Sequence, residues 1–200
     1  MLNRLVMNWV YGGFLAGILL VCLVPVIAGG WPPALCIVFL CLPAYMLHQY
    51  EEHDDDRFRR FFNETIGKGH EVLSPLATFV VNVPGVWGVM TVSFWLAAKV
   101  ESGFGLIAVY LVLVNAGVHV IHTALFRKYN PGLGTATILF LPLGSVGLYE
   151  IQIAAGGTAA MHALGLGVAV VIHAALMVYI RCRSSVKTDF GLPVSAGGGL

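Results

Sequence analysis

Apolar stretches long enough to cross a bilayer recur along this chain, and that repetition constrains the fold more than any other feature. A hydrocarbon core of roughly 30 Å needs about 20 apolar residues of helix, and stretches of that length occur six times in the 200 residues. Helices are predicted at about Trp9 to Ala28, Pro33 to Tyr50, Leu73 to Val100, Phe104 to Phe126, Thr135 to Ala155 and Ala159 to Ile180. Gly29-Gly30-Trp31-Pro32, Glu101-Ser102-Gly103, Asn130-Pro131-Gly132 and Gly156-Gly157 supply turns between them. The expected fold is all-α, an integral membrane bundle of about six transmembrane helices filling residues 1–183, with a disordered tail over 184–200.

Composition agrees. With 58% hydrophobic and 10% charged residues and a mean hydropathy of +0.85, the chain lies outside the soluble range, and its short loops leave no room for a water-exposed domain. A net charge of +1 lacks the basic footprint that phosphate binding requires, which excludes a nucleic-acid partner. Cys22, Cys36, Cys41 and Cys182 form no CxxC pair and read as small apolar residues.

The basic residues orient the bundle. Arg4, Arg57, Arg59, Arg60, Lys68, Arg127, Lys128, Arg181, Arg183 and Lys187 fall on one side of the predicted helices and only Lys99 on the other. Because Lys and Arg collect on the cytoplasmic side, both termini are expected there, in a cytoplasmic membrane. The first span is long and lacks an A-x-A site, so it is expected to remain uncleaved. The loop from Glu51 to Val72 carries Phe58, Phe61, Phe62 and Ile66 at helical spacing beside its arginines. It reads as an amphipathic helix lying in the headgroup region or as a solvated linker.

Ionisable residues inside apolar spans are costly and mark function. His48-Gln49-Tyr50-Glu51-Glu52-His53 closes the second predicted helix, with His48, Glu51 and Glu52 on one face. Asn115, His119 and His122 form a stripe on the fourth. At about 1.5 Å per residue, His48 lies roughly 9 Å before Asp54 and His122 roughly 7 Å before Arg127, so the clusters share a depth if the helices touch. His173 on the sixth helix lies near that level. Imidazole with carboxylate suits a divalent metal, Zn, Fe or Mn. It also suits proton transfer without metal, or an ion pathway. In a purely structural alternative, Glu51, Glu52 and His53 open the aqueous loop while His119 and His122 tie helices together. Glu150 and His162, on the outer side, are expected to pair with each other. Pro43, Pro84 and Pro142 are expected to kink helices, and Gly105, Gly117, Gly132, Gly134, Gly144, Gly165 and Gly167 to mark close helix packing.

His48-Gln49-Tyr50-Glu51-Glu52, followed by Asn115, His119 and His122 and then by Arg127-Lys128-Tyr129-Asn130-Pro131-Gly132-Leu133, resembles the small multi-spanning membrane proteins named for their HxxEE motif. The resemblance covers roughly the first 180 residues. It implies a motif and a membrane bundle, and no reaction.

The leading expectation is a membrane enzyme with a metal centre near the cytoplasmic face. His48, Glu52, His119 and His122 are the expected ligands, Glu51 a further ligand or the general base, and Asn115 and His173 residues that orient the ligands. Its substrate would be apolar or amphipathic, reached from the lipid bilayer, and hydrolysed or oxidised. The alternatives are a small proton or metal-ion transporter, which would need Glu150 and His162 for its outer half, and a non-catalytic assembly protein.

Overall fold

The computed structural model describes residues 2–185, and their regular structure is helical throughout. Residues 186–200, most of the expected tail, lie outside the described residues. Six helices are long and apolar enough to cross a membrane. These are α1 (Leu2–Ile27), α2 (Pro33–His53), α4 (Pro75–Lys99), α5 (Ser102–Phe126), α6 (Leu133–Ile153) and α7 (Ala159–Ser185). The remaining helix, α3 (Arg57–Thr65), follows α2 through a tight turn.

Most ends fall within a few residues of their predicted positions. The exception is α1, which starts at Leu2 rather than Trp9. Nothing in the first residues breaks a helix, and Val6, Trp9 and Val10 bury against the bundle. Pro84 and Pro142 act as expected. A proline inside a helix removes one backbone bond and crowds the carbonyl four residues before it. Here the strain is taken up by wider π turns, at Val81–Trp87 around Pro84 and at Ala136–Phe140 just before Pro142.

α2 sits at the centre, against α1, α4, α5 and α6. Its Val38, Cys41 and Tyr45 share a core with Ala108, Leu111 and Val112 of α5 and Phe140 of α6. Between helices in lipid, close packing rather than water exclusion supplies the attraction, so small residues set the approach. A Cβ at Gly105 would fall 2.4 Å from Val38 Cγ2, and one at Gly144 2.5 Å from Leu113. Gly165 likewise meets the Leu106 carbonyl, whereas Gly117 and Gly167, expected at such contacts, face open space. The expected Glu150–His162 pair does not form; His162 Nδ1 lies 2.8 Å from the Tyr110 hydroxyl instead.

The turn from α2 to α3 places Asp55 and Asp56 at φ of 51° and 59°, a left-handed conformation that aspartate tolerates better than most residues. Each aspartate of this turn meets an arginine of α3: Arg57 on Asp54 at 3.0 Å, Arg60 on Asp55 at 2.6 Å, and Arg59 on Asp56. The apolar stripe of α3 does not lie free for headgroups. Phe58, Phe62 and Ile66 pack on Val72, Leu73 and Ile180, because the turn folds α3 back over the end of the bundle.

Candidate metal centre

The last two turns of α2 and the last two turns of α5 converge at one end of the bundle. His48 is wholly buried, Glu52 and His119 nearly so, and the two imidazole rings lie 5.0 Å apart. Glu52 stands between them, with Oε2 at 3.7 Å from His48 Nε2 and Oε1 at 3.5 Å from His119 Nε2. One ligand atom from each residue fits within a mutual distance of 4.8 Å. Donors about 2.0–2.2 Å from a shared ion, at tetrahedral to trigonal angles, stand about 3.3–3.8 Å apart, so the two nitrogen–oxygen separations already suit one ion.

The tautomer of each ring follows from its outer partner. Asn130 donates its Nδ2 to the His119 carbonyl at 3.0 Å and to Thr123 Oγ1 at 2.8 Å. That fixes Asn130 Oδ1 toward His119 Nδ1, its close partner, so this nitrogen carries the hydrogen. His48 Nδ1 lies 2.8 Å from Thr135 Oγ1. Thr135 donates its single hydroxyl hydrogen to Glu51 Oε2, so its oxygen accepts from His48 Nδ1. In the neutral form of each ring, Nε2 therefore carries the lone pair and faces the Glu52 carboxylate. His48 Nε2 is buried with no hydrogen-bond partner, an arrangement that costs free energy unless a cation or a proton fills the gap. Metal-ligating histidines are held in this way, through the ring nitrogen that does not ligate.

The loop Tyr129–Thr135 builds this support. Gly132, at φ +98°, passes so close that a Cβ there would sit 2.7 Å from His119 Cε1 and 2.8 Å from His48 Cε1. Only glycine meets both the conformation and the space. Glu51 accepts from the backbone N–H groups of Gly134 (3.0 Å) and Thr135 (2.7 Å), from the Thr135 hydroxyl and from the Tyr129 hydroxyl. A carboxylate at the start of α6 also meets the positive end of its dipole. Partial burial and then the Glu51 carboxylate push the Tyr129 phenol up to about 12, so it stays a donor at neutral pH.

A family model described as "Protein of unknown function with HXXEE motif" matches residues 39–146, more than half of the chain. The chain belongs to this family. No curated protein and no solved structure matches it. In this member of the HXXEE family the motif divides its labour: His48 and Glu52 face α5, whereas Glu51 faces the loop. Glu51 was expected as a ligand or base, but both its oxygens are taken by donors from the loop, and it reaches His48 only through Thr135.

The other expected residues lie nearby in different settings. His122 is not in the convergent group; its ring stacks on Phe126 at 4.5 Å, with Nδ1 3.3 Å from Asn130 Nδ2. Three residues past His119 on a helix, it projects about 60° away from that ring's direction. Asn115 Oδ1 is buried and makes no hydrogen bond, and His173 Nδ1 donates to Ala169 O at 2.8 Å. Asn115, His119, His122 and His173 all line one cavity of about 130 Å³ beside the trio.

Sequence reasoning missed three residues. His53, weighed as the start of a solvated loop, is buried, with Nε2 3.1 Å from Glu52 Oε2 and its ring edge-on to Trp9. Thr135 and Asn130 hold the two rings. Asn130 stood in a turn read as a break between helices and as part of the family resemblance, with no role of its own, and the proximity of that turn to α2 follows from tertiary packing alone. A buried chain from Trp87 Nε1 to Gln49 Oε1 (2.6 Å) and from Gln49 Nε2 to Asn82 Oδ1 (2.8 Å) further ties the motif to the π turn of α4.

Proposed function

We propose that this HXXEE protein is a membrane-embedded, metal-dependent enzyme whose ion is held by His48, Glu52 and His119. The observation that carries the reading is the orientation of the two buried imidazoles, each donating Nδ1–H outward so that both Nε2 lone pairs meet Glu52. Three protein donors with room beside them are the usual form of a catalytic rather than a structural site. A divalent Zn, Fe or Mn ion would supply Lewis acidity, or redox chemistry in the case of iron.

The residues of the chain do the rest. Thr135 and Asn130 fix the rings, and Glu51 orients Thr135. His53, whose Nε2 lies beside Glu52 and makes no hydrogen bond, is the group best placed to take up or return a proton, the role expected of Glu51. The substrate is an apolar or amphipathic molecule from the bilayer, transformed by hydrolysis or oxidation. Nine of the ten lysines and arginines among the described residues flank the end that carries the trio, which supports a multi-pass protein of the cytoplasmic membrane with its site near the cytoplasmic face and both termini inside.

Enzyme is favoured over transporter by the core beyond the trio. Val38, Cys41, Ala108, Leu111 and Val112 are each at most 2% exposed there, and His162 is engaged by Tyr110. Metal content by mass spectrometry of the detergent-purified protein, beside folded His48→Ala and His119→Ala variants, tests the reading. Stoichiometric metal in the parent, lost from both variants, is expected. A parent that stays metal-free after reconstitution with Zn, Fe and Mn leaves only proton chemistry or helix stitching.

A further inference from the structure

The cavity beside the trio is lined mainly by apolar side chains. Glu52, His119 and Asn115 stand at the end next to the trio, Val81 and Val86 of α4 and Ile172 and Leu176 of α7 line its sides, and Asn82, His122 and His173 stand among them. On the loop side Phe58 and Phe62 of α3 line it, packed with Val72, Leu73, Leu176 and Ile180. On the side of the bundle it is open. The lining residues Val118 of α5 and Met177 of α7 are 49% and 47% exposed. Val118 stands nine residues before Arg127, roughly 13 Å deep, and Met177 four residues before Arg181, roughly 6 Å deep, so both lie on the membrane side of the basic residues. Access therefore runs from the bilayer, past Val118 of α5 and Met177 of α7.

Size narrows the occupant. About 130 Å³ is close to the roughly 150 Å³ apolar cavity that accepts a benzene ring, so the space admits one slender chain segment and not a fused ring system or paired chains.

We infer that the cavity binds one unbranched hydrocarbon chain bearing a small oxygen end group, an alcohol, aldehyde or carboxyl, drawn sideways from the bilayer with that end group at Glu52 and His119. This names the substrate class of the proposed metal site and rests on that reading for its reactive end only.

The full-length protein in phosphatidylcholine nanodiscs, titrated with cis-parinaric acid by fluorescence and assayed for metal in the same samples, tests it. The parent should bind the probe saturably at one site, although phosphatidylcholine is in excess, and 1-hexadecanol should displace it. Val118→Trp and Met177→Trp, which fill the mouth, should each weaken binding by at least roughly tenfold while keeping their metal. Ile121→Trp, on the outward face of α5 and 60% exposed in the parent, should bind as the parent does. Should one mouth variant fail to fold, the other and the displacement by 1-hexadecanol still decide. Absence of saturable binding to folded protein, or binding that both mouth variants retain, overturns the inference whatever the metal content. Saturable, mouth-dependent binding to a metal-free parent supports the chain site and sinks only the metalloenzyme reading.

Discussion

Replacing Thr135 with valine removes one hydroxyl and almost no volume. In the parent that hydroxyl donates to Glu51 and accepts from His48 Nδ1 at 2.8 Å. In Thr135→Val the His48 Nδ1–H loses its partner inside a fully buried site, and the ring is free to turn or to change tautomer. Loss of such an outer partner typically weakens metal binding by about 10–100-fold, or roughly 1.4–2.7 kcal/mol. The stranded donor adds an unfolding penalty of about 1–3 kcal/mol. Competition against a chelator of known affinity, in detergent and at one fixed pH, measures the first quantity; thermal unfolding of the metal-free protein measures the second. Thr137→Val is the control, because its hydroxyl donates only to the Leu133 carbonyl on an exposed face. Metal affinity of Thr135→Val within about threefold of the parent would refute the role given to the outer hydrogen bonds.

Further outcomes follow from the same geometry. Gly132→Ala puts a Cβ within 2.8 Å of both imidazoles at φ +98°. It should lose stoichiometric metal and destabilise the fold by at least about 1–3 kcal/mol, read by metal analysis and thermal unfolding. The Tyr129 phenol is raised to about 12 from an unfolded value near 10. Its contribution to stability is therefore complete below about pH 10 and lost as pH rises through about 12, and an unfolding series across that window should lose this component in Tyr129→Phe. Gln49→Leu strands the Trp87 Nε1–H and Asn82 Oδ1 at about 1–3 kcal/mol for each group, and should lower the Tm with a matching change in Trp fluorescence.

Much of this was legible in the sequence, for physical reasons. Apolar length announces a membrane helix without tertiary knowledge, so the six elements and their number could be read directly. His48, Glu52 and His119 could be read because helical spacing and a shared depth survive the unknown packing of α2 on α5. What escaped depends on how chain segments fold against one another. Glu51 and Glu52 are adjacent and chemically alike; only the position of the Tyr129–Thr135 loop assigns one to the loop and the other to the trio. The same loop supplies Thr135 and Asn130, residues with no pattern of their own. The burial of His53 depends on α1 packing beside α2 and bringing Trp9 against it. The aromatic stripe of α3 was correctly periodic, but periodicity alone does not say whether it faces lipid headgroups or the bundle.

The central claim is that two imidazoles and one carboxylate share a single ion. X-ray absorption spectroscopy at the edge of whichever metal co-purifies with the protein tests it most directly. The account predicts the multiple scattering of two imidazoles with nitrogen and oxygen at about 2.0–2.2 Å, reduced to one imidazole in His48→Ala and in His119→Ala where metal can be restored. A bound metal without imidazole scattering, or a spectrum unchanged by both substitutions, would contradict it.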